Sequence, residues 1–155
     1  MRSTDRVQQF LTEHDMDSKV IELDKSTRTA PMAAEAIGTT LGSIVKSLIF
    51  VADGQVVLAL VAGDKRASTA KLAATLGADG VRIANADEVR EQTGYAIGGV
   101  PPVAHTAPVT TVIDESLSRF ETVYAAAGSP RAIFPISYAA LLVLTQGTVT
   151  DITED

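Results

Sequence analysis

Lys46 is the first residue whose type clashes with its surroundings. The run Ile44 to Val51 favours a β-strand, and alternation places Lys46 with Ile44, Leu48 and Phe50 on one face, leaving Val45, Ser47, Ile49 and Val51 on the other. Both faces are apolar enough to be buried, so the ammonium group must snorkel to water, find an anionic partner or lose proton affinity through desolvation. A second candidate is the loop Gly98-Gly99-Val100-Pro101-Pro102. Its glycines let backbone approach a ligand closely and its prolines stiffen the chain around it, although a tight structural turn uses the same residues. Backbone donors can come only from Gly98, Gly99 and Val100, because proline has no N–H; such donors suit an ester or ribose oxygen. A third turn, Ala127-Gly128-Ser129-Pro130, either offers the Ser129 hydroxyl as a donor or simply reverses the chain.

Other chemistries lack their residues. The chain has no cysteine, which excludes disulfides, thiolate nucleophiles and cysteine-based metal sites and makes the cytoplasm the default location. Of its two histidines, His14 is expected to be exposed at a helix end, and His105 either reaches the pocket of the glycine–proline loop or is solvated. Without an HExxH spacing no zinc site is expected, and no cofactor is implied. A G-x-S-x-G elbow is missing, as are the lysine and helix context of a phosphate-binding P-loop.

These residues need elements to position them. Ser3 or Thr4 is expected to cap a helix bearing Val7, Phe10 and Leu11, followed by a turn near Asp15 to Asp17 and a strand over Lys19 to Leu23. Thr29 suits the N-cap of a helix from Pro31 to Ile37, ended by Gly38. Ile44 to Val51 and Gln55 to Ala62, joined through Asp53-Gly54, form a hairpin. Ser68 opens a helix that Gly77 stops, Val81 to Ala84 is a short strand, and Asn85 with Glu88 forms a capping box for a helix closed by Gly94. Strands are expected at Val109 to Ile113, Thr122 to Ala127 and Arg131 to Ile136, the last an edge because of Pro135; Ser137 caps a final helix, Tyr138 to Leu144. The order favours an α+β fold with a mixed, largely antiparallel sheet and helices packed outside, one domain over residues 1–155.

At 155 residues, 46% of them apolar, the chain can bury one aliphatic core. Its N-terminal residues, Met1 to Asp5, lead into a polar amphipathic segment rather than a signal sequence, and no run of about 18 apolar residues exists to span a bilayer. The net charge of −6 argues against broad binding along a nucleic-acid backbone. Asp151, Glu154 and Asp155 supply three of those charges in what is expected to be a solvated tail. Lys25, Arg28, Lys46, Lys65, Arg66, Lys71 and Arg131 then either form a local cationic mouth or scatter over the surface.

Taken in order, Thr27-Arg28-Thr29 before Ala33-Ala34, Val45-Lys46-Ser47-Leu48, Gly63-Asp64-Lys65-Arg66, Gly94-Tyr95 followed by Gly98 to Pro102, Ile113-Asp114-Glu115 and Ala127-Gly128 resemble the YbaK and prolyl-tRNA synthetase editing-domain family. The resemblance runs nearly the whole chain. It implies a curved sheet with a barrel-like core and a pocket for the aminoacylated adenosine at the end of a mischarged tRNA, with no cofactor. The expected reaction is hydrolysis of the aminoacyl ester, with cysteine or alanine on proline tRNA as the expected substrate and a prolyl-tRNA synthetase as a conceivable partner. The family's lysine maps on Lys46 and its Gly-x-x-x-Pro loop on Gly98 to Pro102. Lys46, Gly98 and Gly99 would be catalytic; Thr29, Val100, Pro101, Pro102, Gly128 and Ser129 would bind substrate. A non-catalytic module that holds a tRNA end or nucleotide is the rival reading of the same cleft.

Overall fold

The computed structural model describes residues 2–155; Met1, at the start of the polar N-terminal segment, lies outside them. At its centre, β2 (Ile44–Ala52) and β3 (Gln55–Ala62) form the expected antiparallel hairpin. Asp53 and Gly54 turn the chain with φ of 48° and 82°, the left-handed pair that a two-residue hairpin demands.

On the β2 side, β6 (Thr122–Ala126) runs parallel to the start of β2 and antiparallel to β7 (Ala132–Ser137), while β4 (Val81–Ile83) pairs antiparallel with the end of β2. β1 (Ile21–Glu22) lies on the far side of β7. On the β3 side, β5 (Thr110–Asp114) and then β8 (Thr148–Thr150) add parallel strands. The mixed eight-stranded sheet follows the path β1-β7-β6-β2-β3-β5-β8, open at both ends, with β4 off that path. Among the described residues, five α-helices flank it: α1 (Ser3–Glu13), α2 (Ala30–Ile37), α3 (Thr69–Leu76), α4 (Ala86–Thr93) and α5 (Tyr138–Thr145). None is long and apolar enough to cross a membrane.

Alternation along the hairpin divides the interior. Val45, Ile49, Leu58 and Leu60 join Val7 and Leu11 of α1, Val89 of α4 and Leu141 of α5. From the opposite face, Phe50, Val57, Ala59 and Val61 meet Leu72 of α3 and Ile152. Ile44 packs with Ala30, Ala33 and Ala34 of α2 in a smaller third cluster. The hairpin is thus covered on both faces, as its near-continuous apolar sequence requires.

Thr29, Ser68, Asn85 and Ser137 each accept the expected capping bond, and Gly38, Gly77 and Gly94 end their helices in the left-handed region. The first helix differs. Arg2 is its N-cap without a side-chain bond, and Ser3 and Thr4 lie inside the helix, where buried Thr4 accepts from the Arg2 guanidinium instead of capping. The strand expected over Lys19 to Leu23 contracts to Ile21–Glu22, opposite Ile133 and Ala132. Because β1 covers only that end of β7, Pro135 lies beyond its reach, and the missing N–H wastes no pairing there.

The C-terminal tail keeps Asp151, Glu154 and Asp155 exposed, as expected, but is docked through Ile152 and Thr153. Ile152 is fully buried, and Lys71 Nζ donates to Asp151 Oδ2 (2.8 Å), the Thr153 carbonyl (2.7 Å) and Asp155 Oδ1 (3.1 Å). Asp114, 1% exposed, anchors the tail by accepting the Ile152 N–H at 2.9 Å, while its other oxygen accepts the Ser116 N–H and hydroxyl. The acidic end hid a three-residue strand and one buried isoleucine, too short a pattern to show periodicity.

Replacing Asp114 with Ala strands the Ile152 donor in the interior, and should lower unfolding stability by about 2–4 kcal/mol in urea titration. Glu88 yields a pH prediction: the Arg82 guanidinium and the Asn85 N–H hold its carboxyl down, from the ordinary 4.5 to about 2. A folded value below the unfolded one stabilises above about 4.5, and the gain disappears as pH falls towards 2. Glu88→Gln should therefore flatten the acid limb of the stability curve between those values, read by denaturation at successive pH.

Candidate functional site in a gap of the sheet

The edge of β2 facing away from β3 is paired at its two ends only. Ile44 and Val45 lie against β6, and Phe50, Val51 and Ala52 against β4, so Lys46 to Ile49 stand between two partners that do not meet. The register sets what this edge presents. The Gly63 N–H donates to the Ile44 carbonyl (2.8 Å), and because an antiparallel ladder alternates, the peptide groups of Ile44, Lys46 and Leu48 turn towards β3. Those of Val45, Ser47 and Ile49 turn the other way. The Ala84 N–H accordingly donates to the Ile49 carbonyl (2.9 Å), while the Ser47 N–H and C=O are directed into the gap.

A cavity of about 390 Å³ fills this gap and touches both faces of β2. On the Ser47 face its wall includes Val45, Ile49, Ala84, Val89 and Val100, all of the main core. On the Lys46 face it includes Ile44, Ala30, Ala33 and Ile133, with Thr29 and Gly63 nearby. Arg28 and the exposed side chains of Ile83 and Ile97 also line it. None of its lining residues is a carboxylate or a histidine.

Lys46 is half-buried in this wall, and its Nζ donates to the Lys65 carbonyl. Burial lowers its proton affinity below that of an ordinary lysine, Asp64 opposes the shift and Arg66 adds to it. Asp64 is itself gripped by both terminal nitrogens of Arg119, at 2.7 and 3.0 Å, which hold its carboxyl below the usual range. The turn that receives the lysine is tightly seated: a Cβ on Gly63 would lie 2.3 Å from the Leu41 carbonyl oxygen.

Of the residues singled out by sequence, Thr29, Lys46, Gly98 and Val100 meet in the cavity wall; Gly99, Pro101, Pro102, Gly128 and Ser129 do not. Gly99 has a different task. Its N–H donates to the Ala96 carbonyl (2.9 Å), its carbonyl accepts the Gly128 N–H (2.9 Å), and a Cβ there would lie 2.8–2.9 Å from the Ser129 backbone. It is the point where two loops touch, and its donor is already used. Gly98 has φ of 83°, and a Cβ would come within 2.4 Å of Arg28 Cγ, so this glycine lets the loop lie against the segment preceding α2. The Gly98 and Val100 N–H groups have no backbone partner among the described residues.

Pro101 and Pro102 are buried behind the cavity. The Pro101 carbonyl takes His105 Nε2 at 2.8 Å, and the imidazole stands edge-on to Tyr95 with ring centroids 5.7 Å apart. His105 is therefore neither in the cavity nor solvated; it braces the loop from behind, and burial lowers its proton affinity. His14 is exposed at the end of α1, as expected. The cationic mouth reduces to Arg28 and Lys46 in the wall, with Arg66 close to Lys46, since Lys71 holds the tail and Arg131 donates to the Asp24 carbonyl (2.7 Å).

Two wall residues escaped the sequence-based selection. Thr27, 7% exposed, and Ser47 each carry a buried hydroxyl with no hydrogen-bond partner. Ser47 had a signal, being the polar residue on the face it shares with Val45 and Ile49, but the gap beside it depends on which strands pair with β2. For Gly99→Ala the contact with the Ser129 backbone should lower unfolding stability by about 1–3 kcal/mol, measured in urea; an unchanged midpoint would show that the two loops do not press together.

Residues 24–144 match the model of the aminoacyl-tRNA editing domain. The uncharacterized protein YwhH of Bacillus subtilis (strain 168) is 40% identical over 124 residues, covering 79% of this chain and 78% of that one. The proline–tRNA ligase of Lactobacillus gasseri is 43% identical over 89 residues, 57% of this chain but 16% of the ligase. A crystal structure described as that of a candidate trans-editing enzyme for prolyl-tRNA synthetase superposes with a TM-score of 0.93 at 44% identity, over 100% of this chain and 99% of the other. With the editing-domain match spanning α2 to α5 and the fold agreeing throughout, the chain belongs to the aminoacyl-tRNA editing domain family.

Proposed function

We propose that this protein is a deacylase that hydrolyses the ester joining a small, wrongly attached amino acid to the 3′ end of a tRNA, cysteine or alanine on proline tRNA. The observation that carries the proposal is the cavity in the sheet gap, which sets a cationic side chain, Lys46, on one face of β2 and a small apolar chamber on the other. The family match and the likeness to domains of proline–tRNA ligases support the same reading.

In this reading Lys46 and Arg28 receive the anionic end of the tRNA, and the N–H groups of Gly98 and Val100 orient the ester carbonyl and hold the oxyanion as water adds. Gly99 contributes by fixing the loop, because its own N–H is bonded to Ala96. The cavity wall offers no carboxylate or imidazole to act as base, so the free hydroxyl of the substrate's terminal ribose assists the attacking water. Collapse of the tetrahedral intermediate returns the ribose hydroxyl as leaving group and frees the amino acid. The chamber selects by size: a missing methylene discriminates by only about 1–3 kcal/mol, so the correct, larger amino acid is kept out by walls such as Ile49, Val89 and Val100 rather than by weaker attraction. A prolyl-tRNA synthetase supplying the mischarged tRNA is the proposed partner.

The test is a deacylation time course on proline tRNA charged with alanine, cysteine or proline. Wild-type protein should release alanine or cysteine and spare proline, and Lys46→Ala should slow release on the order of a hundredfold while leaving the fold intact by circular dichroism. Release of none of the three, or undiminished turnover by Lys46→Ala, would contradict the proposal.

A further inference from the structure

Among the described residues Lys46 bonds to no carboxylate, although one stands close by. Its Nζ donates to the Lys65 carbonyl, a neutral partner that leaves the positive charge and the other ammonium hydrogens uncommitted. Asp64, the residue before Lys65 in the same turn, carries the carboxylate whose charge Lys46 feels. Both of its oxygens are given to Arg119 instead: Nη2 donates to Oδ1 (2.7 Å) and Nη1 to Oδ2 (3.0 Å), a fork that fixes a carboxylate as a single contact does not. Arg119 is held in turn. It ends the short 3-10 helix Glu115–Arg119, its Nε donates to the Ser116 carbonyl (2.7 Å), and its Cζ lies 5.0 Å from the centre of the Phe120 ring. Phe120 and Asp64 both press on Gly42, where a Cβ would lie 2.8 Å from Phe120 Cζ and 3.1 Å from Asp64 Oδ2. The paired side chains are 41% and 35% exposed, and a pair that open adds little to stability, so holding the fold is a weak reason for the clamp.

We infer that Arg119 is a positioning residue for the cavity: by occupying both oxygens of Asp64 it keeps that carboxylate from pairing with Lys46, and so leaves the ammonium free to receive the anionic end of the tRNA. The inference rests on the proposed deacylase reading and adds to it a residue outside the cavity wall. Without Arg119, the released carboxylate is one residue from the carbonyl that Lys46 already reaches, and the two charges close into an ion pair. Substrate then has to displace Asp64 before it can use Lys46. The half-buried setting of the lysine strengthens this competition, because charges attract more where water is partly excluded. Lys65 and Arg66, the other cations of the turn, make no bond to that carboxylate among the described residues.

The experiment measures kcat and KM on proline tRNA carrying alanine or cysteine, for wild type, Arg119→Gln, Asp64→Asn and the double variant, each checked for an intact fold by circular dichroism. Arg119→Gln should lower kcat/KM about fivefold or more, mainly through KM, the scale of one partly exposed ion pair that substrate must break. Asp64→Asn alone should not, and adding it to Arg119→Gln should restore the wild-type value, because no carboxylate is left to compete. A pair that merely braces the turn would slow all three variants alike. That result, or an Arg119→Gln variant as fast as wild type, would overturn the role of Arg119 and leave the deacylase reading standing. The Lys46 Cε resonance, followed through an alkaline titration, supplies a readout that needs no substrate: its midpoint should rise in Arg119→Gln, as a freed anion approaches, and fall back in the double variant. If wild type releases neither amino acid the deacylase reading fails, and the titration decides the rest: a raised midpoint upholds the hold of Arg119 on Asp64, and an unmoved one overturns it too.

Discussion

A β-strand inside a sheet normally spends its peptide groups on both neighbours, and leaving a stretch of one edge without a strand is costly unless water or a ligand takes its place. The gap between β6 and β4 leaves β2 in that condition from Lys46 to Ile49, with the Ile49 carbonyl retrieved by Ala84 and the Ser47 peptide turned inwards. Everything that gives this protein a site follows from that interruption. It opens a cavity through the sheet rather than on its surface, and it lets two adjacent residues of one strand, which point in opposite directions, contribute to the same space.

The surrounding elements keep the interruption in place. The hairpin is held by an uninterrupted ladder to β3 and by clusters on both faces, so β2 cannot shift to meet β6 or β4 without moving the core. Asn85 and Glu88 cap α4, placing Val89 in the cavity wall, and the Gly98 to Pro102 loop is fixed from behind through Gly99, Gly128 and the His105 contact. The C-terminal tail reaches the site from outside: the Glu154 N–H donates to the Arg66 carbonyl (2.8 Å) and the Ser68 N–H to the Ile152 carbonyl (2.7 Å), tying down the chain just beyond the Lys65 carbonyl that receives Lys46. Stability and site geometry are therefore joined at that turn.

Local chemistry made much of this legible in sequence. Asp53-Gly54, the caps at Thr29, Ser68, Asn85 and Ser137, and the apolar alternation of β2 and β3 each depend on residues within a few positions, and each appears where its pattern placed it. Lys46 stood out for the same reason, as a charge in an apolar strand. What the sequence left open depends on distant partners. The Gly98 to Pro102 loop looked like one binding unit, but only Gly98 and Val100 face the cavity, because Gly99 is consumed by a turn nearly thirty residues later. Ser47 is a milder oddity than Lys46 and Thr27 none at all; their unmet hydroxyls become visible only once the strand pairing is known. The docking of the tail was missed for a similar reason, since the weight of Ile152 comes from a carboxylate 38 residues earlier.

The central claim, that the gap in the sheet receives the aminoacylated end of a tRNA, is tested most directly by backbone amide NMR during titration with an adenosine carrying alanine through a non-hydrolysable 3′ amide. The account predicts saturable shifts concentrated at Ser47, Gly98 and Val100, with the amides of β8, three strands from β2 at the end of the sheet, unaffected. Shifts gathered elsewhere, or amides of the gap unmoved while others saturate, would contradict it.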